Sequence, residues 1–404
     1  MEESHSFVPL LIVALLAFLV PLVLSRFKRL RVPVVVGEIL VGIAIGDSGL
    51  RLVGHDPMLE VLALLGFAYL MFLSGIEVDF DAILPKPGQW GGSRRERLSN
   101  PLALGMLTFV VTLLLGLLAG WGLHSLDAAD DPWLAALILS TTSLGLVMPV
   151  LKERDLTGRP YGQALLVAAV VADFATMLLV SIYVLLRTEG LSLEVLLVLL
   201  LFGAFATAYR VAILARRRLP GLDRLKGLTQ ATSQVDVRGA FAIALAFIAL
   251  AQGLGVEMIL GAFLGGAFIG LLAGNGATDL RNKLDLLGYS FFIPIFFIMI
   301  GVRFDLSSLL SSTRALLLVP VLLFLAYAIK FAASLLLRIS FSWRETLAGG
   351  ALLSSRLSLI IAVSAIGLQM GSIDSATNSA IILVAIVTST VSPLLFNRVA
   401  PLVE

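Results

Sequence analysis

The sequence has no cysteine, and charged residues are scarce. Its 404 residues include no Cys and three His, and Asp, Glu, Lys and Arg together make up 14% of the chain. The lack of Cys excludes disulfides, thiolate metal sites and Cys nucleophiles. Because all three His fall in or near polar connections, a His-based metal cluster is not expected. A soluble globular protein carries about 25% charged residues. The composition therefore excludes an ordinary soluble enzyme, a nucleic-acid binder and a disordered scaffold.

Apolar residues dominate instead, at 59% of the chain, with a mean hydropathy of +1.01. A helix needs about 20 mostly apolar residues to cross a bilayer. Thirteen stretches, spans 1–13, qualify: 7–25, 32–50, 58–76, 102–123, 133–151, 162–186, 191–215, 236–253, 256–274, 288–302, 315–337, 346–370 and 377–396. Span 1 is too long for a cleaved signal peptide, and its basic residues follow it. The sequence predicts an all-α polytopic membrane protein.

The distribution of Lys and Arg predicts the orientation. With the N-terminus outside, 22 of the 29 basic residues fall on the cytoplasmic side and four on the outer side. This asymmetry follows the positive-inside rule, and it would collapse if one span were miscounted. The sequence therefore predicts a cell (inner) membrane protein with an outer N-terminus and a cytoplasmic C-terminus.

The two halves of the chain share short motifs in the same order. Gly37–Gly46 in span 2 resembles Gly261–Gly270 in span 9, and Gly75 at the end of span 3 matches Gly301 at the end of span 10. Similar fragments relate span 5 to span 12 and span 6 to span 13. Because the offset is seven spans, an odd number, the sequence predicts two six-helix repeats of opposite orientation. Inverted repeats are typical of secondary transporters, whose binding site lies near the bilayer midplane.

Runs of hydroxyl side chains occur within spans 5 and 12. The first run includes Thr141, Thr142 and Ser143, and the second includes Ser354 and Ser355. Such side chains can bond to backbone groups that have left the helical ladder. We therefore expect both spans to be broken helices, although Ser and Thr also simply pack helices together.

Three ionisable residues lie deep within spans: Asp173 in span 6, Lys330 in span 11 and Arg356 in span 12. Each costs about 2.5–3.5 kcal/mol if it faces lipid, so we expect them to face the protein interior or water. Asp173 is predicted to bind a proton or a small cation, although a structural pair with Lys330 or Arg356 is the alternative. Glu38, near the inner end of span 2, is a further candidate with an equally reasonable packing role.

The sequence resembles the second monovalent cation:proton antiporter family, which includes NapA-type and KefC-type exchangers. The resemblance rests on the stretches RVPVVVGEILVGIAIGDSGL, LALLGFAYLMFLSGIEVDF, LSTTSLGLVMPVLKERDLTGRPYGQALLVAAVVAD and PIFFIMIGVRFDL, and it covers essentially the whole chain. It implies an NhaA/NapA-like fold, in which a core transport domain moves against a dimerisation domain in a homodimer. The implied dimerisation domain comprises 1–100 and 233–312, the core 101–187 and 313–404, and the linker helix 188–232.

The resemblance also implies functional roles. Proton and cation (Na⁺ or K⁺) compete for Asp173, with Thr141, Thr142 and Ser143 beside it. Lys330 and Arg356 are implied electrostatic partners in the core, and Ser354, Ser355 and Glu38 are further candidates. Family exchangers of the sodium type carry an acidic pair on this helix, whereas Ala172 stands at the first position here. The single carboxylate predicts electroneutral exchange.

The resemblance implies no cofactor and no enzymatic activity; the partners are the cation, the proton and the lipid bilayer. Because the chain ends shortly after span 13, a cytoplasmic regulatory domain is expected to be absent from it. Three alternative functions stay open. A sodium-coupled symporter of a small organic anion needs a roomier polar cavity, and a gated channel or membrane sensor needs a polar stripe. An intramembrane hydrolase needs a base at nucleophile spacing.

Overall fold

The computed structural model describes residues 7–26, 33–54, 56–77, 100–188, 195–218, 234–273 and 278–400. Within these ranges every regular element is helical and no strand occurs. Nine helical stretches of the described residues, some of them made of consecutive helices, are long and apolar enough to cross a membrane, or ten if a bent helix pair counts as one span. The predicted all-α membrane protein is confirmed. The number of thirteen spans stays a prediction; three shorter apolar helices lie in spans 2, 7 and 9.

The helices are numbered here in chain order. They are α1 Val8–Arg26, α2 Val34–Ile45, α3 Pro57–Ile76, α4 Pro101–Ser125, α5 Pro132–Ser140, α6 Leu144–Glu153, α7 Pro160–Thr188, α8 Val195–Arg218, α9 Val235–Gly253, α10 Met258–Ala273, α11 Thr278–Leu287, α12 Ile293–Val302, α13 Leu306–Ser311, α14 Thr313–Ser334, α15 Trp343–Leu353, α16 Ser358–Gln369 and α17 Ser375–Val399. A π-helical turn, Gly288–Phe292, joins α11 to α12, and a 3₁₀ turn, Leu335–Ile339, follows α14.

Three consecutive helices begin with the same pair of residue types, a capping residue followed by a proline. In α3, α4 and α5 a proline occupies the first turn, where its missing N–H costs nothing. The residue before each proline accepts hydrogen bonds from backbone N–H groups of that turn through its side-chain oxygen. These capping residues are Asp56, Asn100 and Asp131. The sequence therefore defines these three helix starts locally.

The chain divides into two compact units. Unit 1 comprises Met1–Ala17, His55–Phe80 and Ser181–Met299, and unit 2 comprises Phe18–Gly54, Asp81–Val180 and Ile300–Glu404. Residues 18–54 group with unit 2 in this division, and the domain ranges implied by the resemblance stay predictions. The reason for this grouping is close packing of α2, since a Cβ added at Gly301 would lie 2.1 Å from the Ile39 carbonyl oxygen. The functional roles of the domains stay predictions.

Within unit 1, α3 and α10 cross at glycines. A Cβ added at Gly75 would lie 2.1 Å from the carbonyl oxygen of Phe263, and one added at Gly266 would lie 1.9 Å from that of Phe72. Neither position admits a larger residue without movement of the facing backbone. Small residues at a crossing point are the usual way for membrane helices to approach closely.

The helix that contains span 10 begins earlier than the sequence predicts. We expected it to start near residue 288, because 278–287 carries several charges, but these residues form α11 and continue into the span. Arg281 pairs with Glu77 at 3.0 Å, and Lys283 pairs with Asp236 at 3.0 Å. Ion pairs with other helices thus accommodate charges that a one-dimensional reading assigns to a connection.

Candidate ion-binding site

Two helices of unit 2 are interrupted at the predicted places. The first break separates Ser140, the last residue of α5, from Leu144, the first of α6. The second separates Leu353 of α15 from Ser358 of α16, and the two helices are bent by 40°. Residues 141–143 and 354–357 are all buried. The predicted interruptions of spans 5 and 12 are therefore confirmed.

The two breaks contact each other. The Thr142 hydroxyl donates a hydrogen bond to the Leu353 carbonyl oxygen at 3.3 Å. In return, Arg356 of the second break donates from Nε to the Thr141 carbonyl oxygen at 3.1 Å and from Nη2 to that of Leu139 at 2.8 Å. A helix end leaves backbone carbonyls without partners inside its own helix. Each break therefore supplies donors for carbonyls that the other break has freed.

Arg356 has no solvent exposure and also reaches a third helix. Its Nη2 donates to the Ala326 carbonyl oxygen of α14 at 3.1 Å. All three hydrogen bonds of the guanidinium go to neutral carbonyl oxygens. Because an arginine stays charged in proteins, Arg356 places a fixed positive charge between α14 and the two breaks.

Lys330 lies on α14 and is 3% exposed. Its Nζ donates to the Ser140 carbonyl oxygen at 3.0 Å and to the Thr142 hydroxyl oxygen at 2.6 Å. Ser140 ends α5, and the C-terminal end of a helix carries a partial negative charge. The ammonium group therefore stabilises the end of α5. Thr142, predicted as a cation ligand, accepts from Lys330 while it donates to α15.

Asp173 lies on α7 and is 6% exposed. Its Oδ2 accepts a hydrogen bond from the backbone N–H of Leu144, the first residue of α6, at 3.0 Å. The N-terminal end of a helix carries a partial positive charge and favours anions. The two half-helix ends at this break are thus each met by a side chain of opposite charge, Lys330 at the end of α5 and Asp173 at the start of α6.

The structure brings the other predicted site residues to the breaks, with one exception. The hydroxyl groups of Thr141 and Ser354 each donate to a carbonyl of the preceding helical turn, at 2.9 and 2.8 Å. Ser143 and Ser355 are buried within the breaks. Glu38 is buried on α2, and within the described residues no hydrogen bond or ion pair links it to either break. The other four hydroxyl residues of the two breaks are thus all buried, and of the three charged residues Lys330 contacts Thr142 directly.

One polar residue near the Asp173 carboxylate was not among the candidates predicted from the sequence. Thr176 follows Asp173 by three residues on α7 and has no solvent exposure. Residues three apart share a helix face, so helical periodicity was the available signal. The peptide groups that bind the charges, at Ser140 and Leu144, could not have been predicted from side-chain types, because every residue carries them.

Two helix breaks that contact each other, with a buried carboxylate at one half-helix end, are typical of ion-coupled secondary transporters built of membrane helices. The chain belongs to the sodium/hydrogen exchanger family. The family model described as "Sodium/hydrogen exchanger, transmembrane" matches residues 14–400.

Individual relatives support the same family. YjbQ of Bacillus subtilis, named provisionally as a Na⁺/H⁺ antiporter, is 37% identical over 98% of this chain, which spans 63% of the length of YjbQ. A Na⁺/H⁺ antiporter of Enterococcus hirae is 26% identical, with 92% of each chain covered. The structure of the sodium proton antiporter MjNhaP1 from Methanocaldococcus jannaschii at pH 8 has the same fold. Its TM-score is 0.64 at 14% identity, over 96% of this chain and 95% of that one.

These findings support the resemblance to monovalent cation:proton antiporters in general. They do not support the narrower KefC/NapA type that the sequence motifs suggested. They also do not favour the alternative of a sodium-coupled symporter of a small organic anion.

Proposed function

We propose that this chain exchanges a monovalent cation, Na⁺ or K⁺, for H⁺, and that the two ions compete for Asp173. The observation that carries the proposal is the hydrogen bond from the Leu144 N–H at the start of α6 to the Asp173 carboxylate. This bond orients a buried carboxylate inside the membrane-spanning part of an exchanger-family protein. The site can hold a negative charge there only with help from its surroundings.

The chemistry follows from the two states of this carboxylate. An ionised Asp173 is stabilised by the N-terminal end of α6 and attracts a cation. A protonated Asp173 no longer balances a cation charge, so the cation leaves. Since one carboxylate serves both ions, binding of one displaces the other, and this competition is sufficient to couple their movements.

The remaining ligands are proposed from the first break. The hydroxyl oxygens of Thr141 and Ser143 belong to the non-helical segment directly before α6. Thr142 has a different role in this proposal: its hydroxyl oxygen is engaged by the Lys330 ammonium, which repels a second cation. Ser354 and Ser355, in the second break, and Glu38 on α2 stay candidates of lower rank.

The transport cycle is proposed to be an elevator-like alternating access in a homodimer. In this proposal 101–187 and 313–404 form the moving core, 1–100 and 233–312 form the dimerisation part, and 188–232 is a linker. The proposal includes thirteen spans in two inverted repeats. The N-terminus lies outside, and the C-terminus lies on the cytoplasmic side of the cell (inner) membrane. The supporting observation is the charge asymmetry of the connections.

A cation panel in proteoliposomes tests the function. The purified chain is reconstituted with a pH gradient, and Na⁺, K⁺, Li⁺ or choline chloride is added while lumenal pH is recorded. We expect dissipation of the gradient by Na⁺ or K⁺, and none by choline, with no organic solute present. Proton movement that required an organic anion would instead support a symporter, and the absence of any cation-dependent proton movement would refute the proposal.

A further inference from the structure

Thr176 is a buried residue whose hydroxyl takes no part in the hydrogen bonds of the described fold. The residue has no solvent exposure, and its Oγ1 has no hydrogen-bond partner among the described residues. A buried hydroxyl without a partner loses its bonds to water and gains none in return. A valine of the same shape would therefore serve the packing of α7 at least as well, so the hydroxyl calls for another explanation.

The Thr176 hydroxyl does not form the hydrogen bond to its own helix that is common for threonine. A threonine within a helix can donate to the carbonyl oxygen four residues before it. Thr112 does so to Thr108 at 2.7 Å, and Thr388 does so to Val384 at 2.9 Å. The Thr176 hydroxyl makes no such bond within the described part of the chain. Its oxygen lone pairs and its proton are both available to another group.

The direction of the side chain follows from helix geometry. The Cα–Cβ bonds of a helix tilt toward its N-terminus, so a side chain covers the residues three and four positions before it. For Thr176 these are Asp173 and Ala172. Residues at this spacing have Cβ atoms about 5–6 Å apart, which lets one ion touch both side chains. Ala172 is a single methyl group, so it neither fills this space nor competes for the hydroxyl.

We propose that the Thr176 hydroxyl oxygen is a ligand of the transported cation, next to the Asp173 carboxylate. This inference rests on the proposed function, because it needs a cation at Asp173. Alkali cations are held by rings of oxygen atoms that replace their water. Asp173 Oδ2 is already oriented by the Leu144 N–H, and a neutral oxygen one turn along α7 adds to the shell without altering the net charge of the site.

Two substitutions at this position separate a ligand from a packing residue. Thr176→Val removes the hydroxyl and keeps the shape, whereas Thr176→Ser keeps the hydroxyl and removes a methyl group. We expect the KM for the transported cation to rise about tenfold or more in T176V, as for loss of one bond to a charged group. The kcat at saturating cation and the melting temperature should be retained. T176S should stay within about threefold of the wild-type KM.

The matched control is Thr108→Val. Thr108 lies on α4, is 3% exposed, and its hydroxyl also has no partner among the described residues. T108V should keep the wild-type KM. The inference is overturned if T176V transports with the wild-type KM, or if T176S weakens the KM as strongly as T176V. A wild-type protein without cation-dependent proton movement refutes the proposed function instead, so the two failures are distinguishable.

Discussion

At the residue scale, the site is organised by charged side chains that bind helix ends. Asp173 meets the N-terminal end of α6, Lys330 meets the C-terminal end of α5, and Arg356 meets carbonyls of α5, α14 and the first break. Each charge thus has a backbone partner whose partial charge has the opposite sign. The breaks and the charges therefore depend on each other, because an uncompensated helix end inside a membrane is costly.

Substitution of Asp173 by Asn should abolish exchange and leave the fold intact. The amide oxygen of Asn can still accept the hydrogen bond from the Leu144 N–H, so α6 stays capped. The amide cannot release a proton or balance a cation charge. Cation-dependent proton movement in proteoliposomes measures the loss. Asp130→Asn is the control, since Asp130 is a half-exposed carboxylate paired with Arg314 at 2.8 Å. Retained exchange in D173N would exclude Asp173 as the ion site.

Substitution of Lys330 by Gln should lower stability and shift the pH profile of transport. Gln keeps a donor but removes the charge at the end of α5 and shortens the reach to Thr142. We expect a loss of about 1–3 kcal/mol, the usual cost of breaking a buried bond to a charged group. Thermal unfolding in detergent and the pH dependence of exchange measure the two effects. Wild-type melting together with wild-type activity at every pH would show that Lys330 is not coupled to the site.

The three charged site residues could be predicted from the sequence, whereas their partners could not. A charge inside an apolar run is rare and costly, so its position alone marks Asp173, Lys330 and Arg356. Their partners are mostly peptide groups, which every residue carries. Which peptide group is free depends on where a helix breaks in three dimensions. The same limit applies to the contact between Lys330 and Thr142, which joins residues 188 positions apart in the chain.

At the element scale, close helix approach depends on individual glycines. Gly266→Ala should destabilise unit 1, because the new methyl group would lie 1.9 Å from the Phe72 carbonyl oxygen and α3 would have to move. Overpacking of this kind costs about 1–3 kcal/mol. Gly239→Ala on α9 is the control, since among the described residues no atom outside the adjacent turns of α9 lies within 4 Å of the added methyl group. Melting temperatures in detergent compare the two variants. Equal stability would mean that the crossing adapts freely.

The element boundaries show which local signals determine structure. The breaks were predictable, because runs of Ser and Thr within otherwise apolar spans are visible in the sequence. Such side chains can bond to the backbone groups that a break frees. The start of α11 was not, because its charges are satisfied by Glu77 and Asp236, which are distant in sequence. A polar stretch predicts a connection only when its partners are water. Here they belong to other helices.

At the scale of the whole molecule, one carboxylate predicts one-for-one exchange. Ala172 leaves Asp173 as the single acidic residue on α7, so one cation moves in one direction and one proton in the other. A membrane potential should then neither drive nor oppose exchange, whereas a net charge would contribute about 2.3 kcal/mol per 100 mV. A potassium-diffusion potential set with valinomycin tests this with Na⁺ as the exchanged ion, with a proton ionophore as control. A rate or equilibrium that follows the potential would require a second proton carrier, for which Lys330 is the first candidate.

The bonds of Lys330 and Arg356 to neutral oxygens have an electrical consequence. In this proposal the Asp173 site is neutral in sum whether it holds a cation or a proton, and the two basic side chains carry their positive charges through both states. In the proposed elevator cycle they cross part of the membrane field with the loaded site and return with it. We therefore expect a brief capacitive current when Na⁺ is added to the protein on a solid-supported membrane, and no sustained current after it. In D173N, which cannot complete the cycle, that transient should disappear.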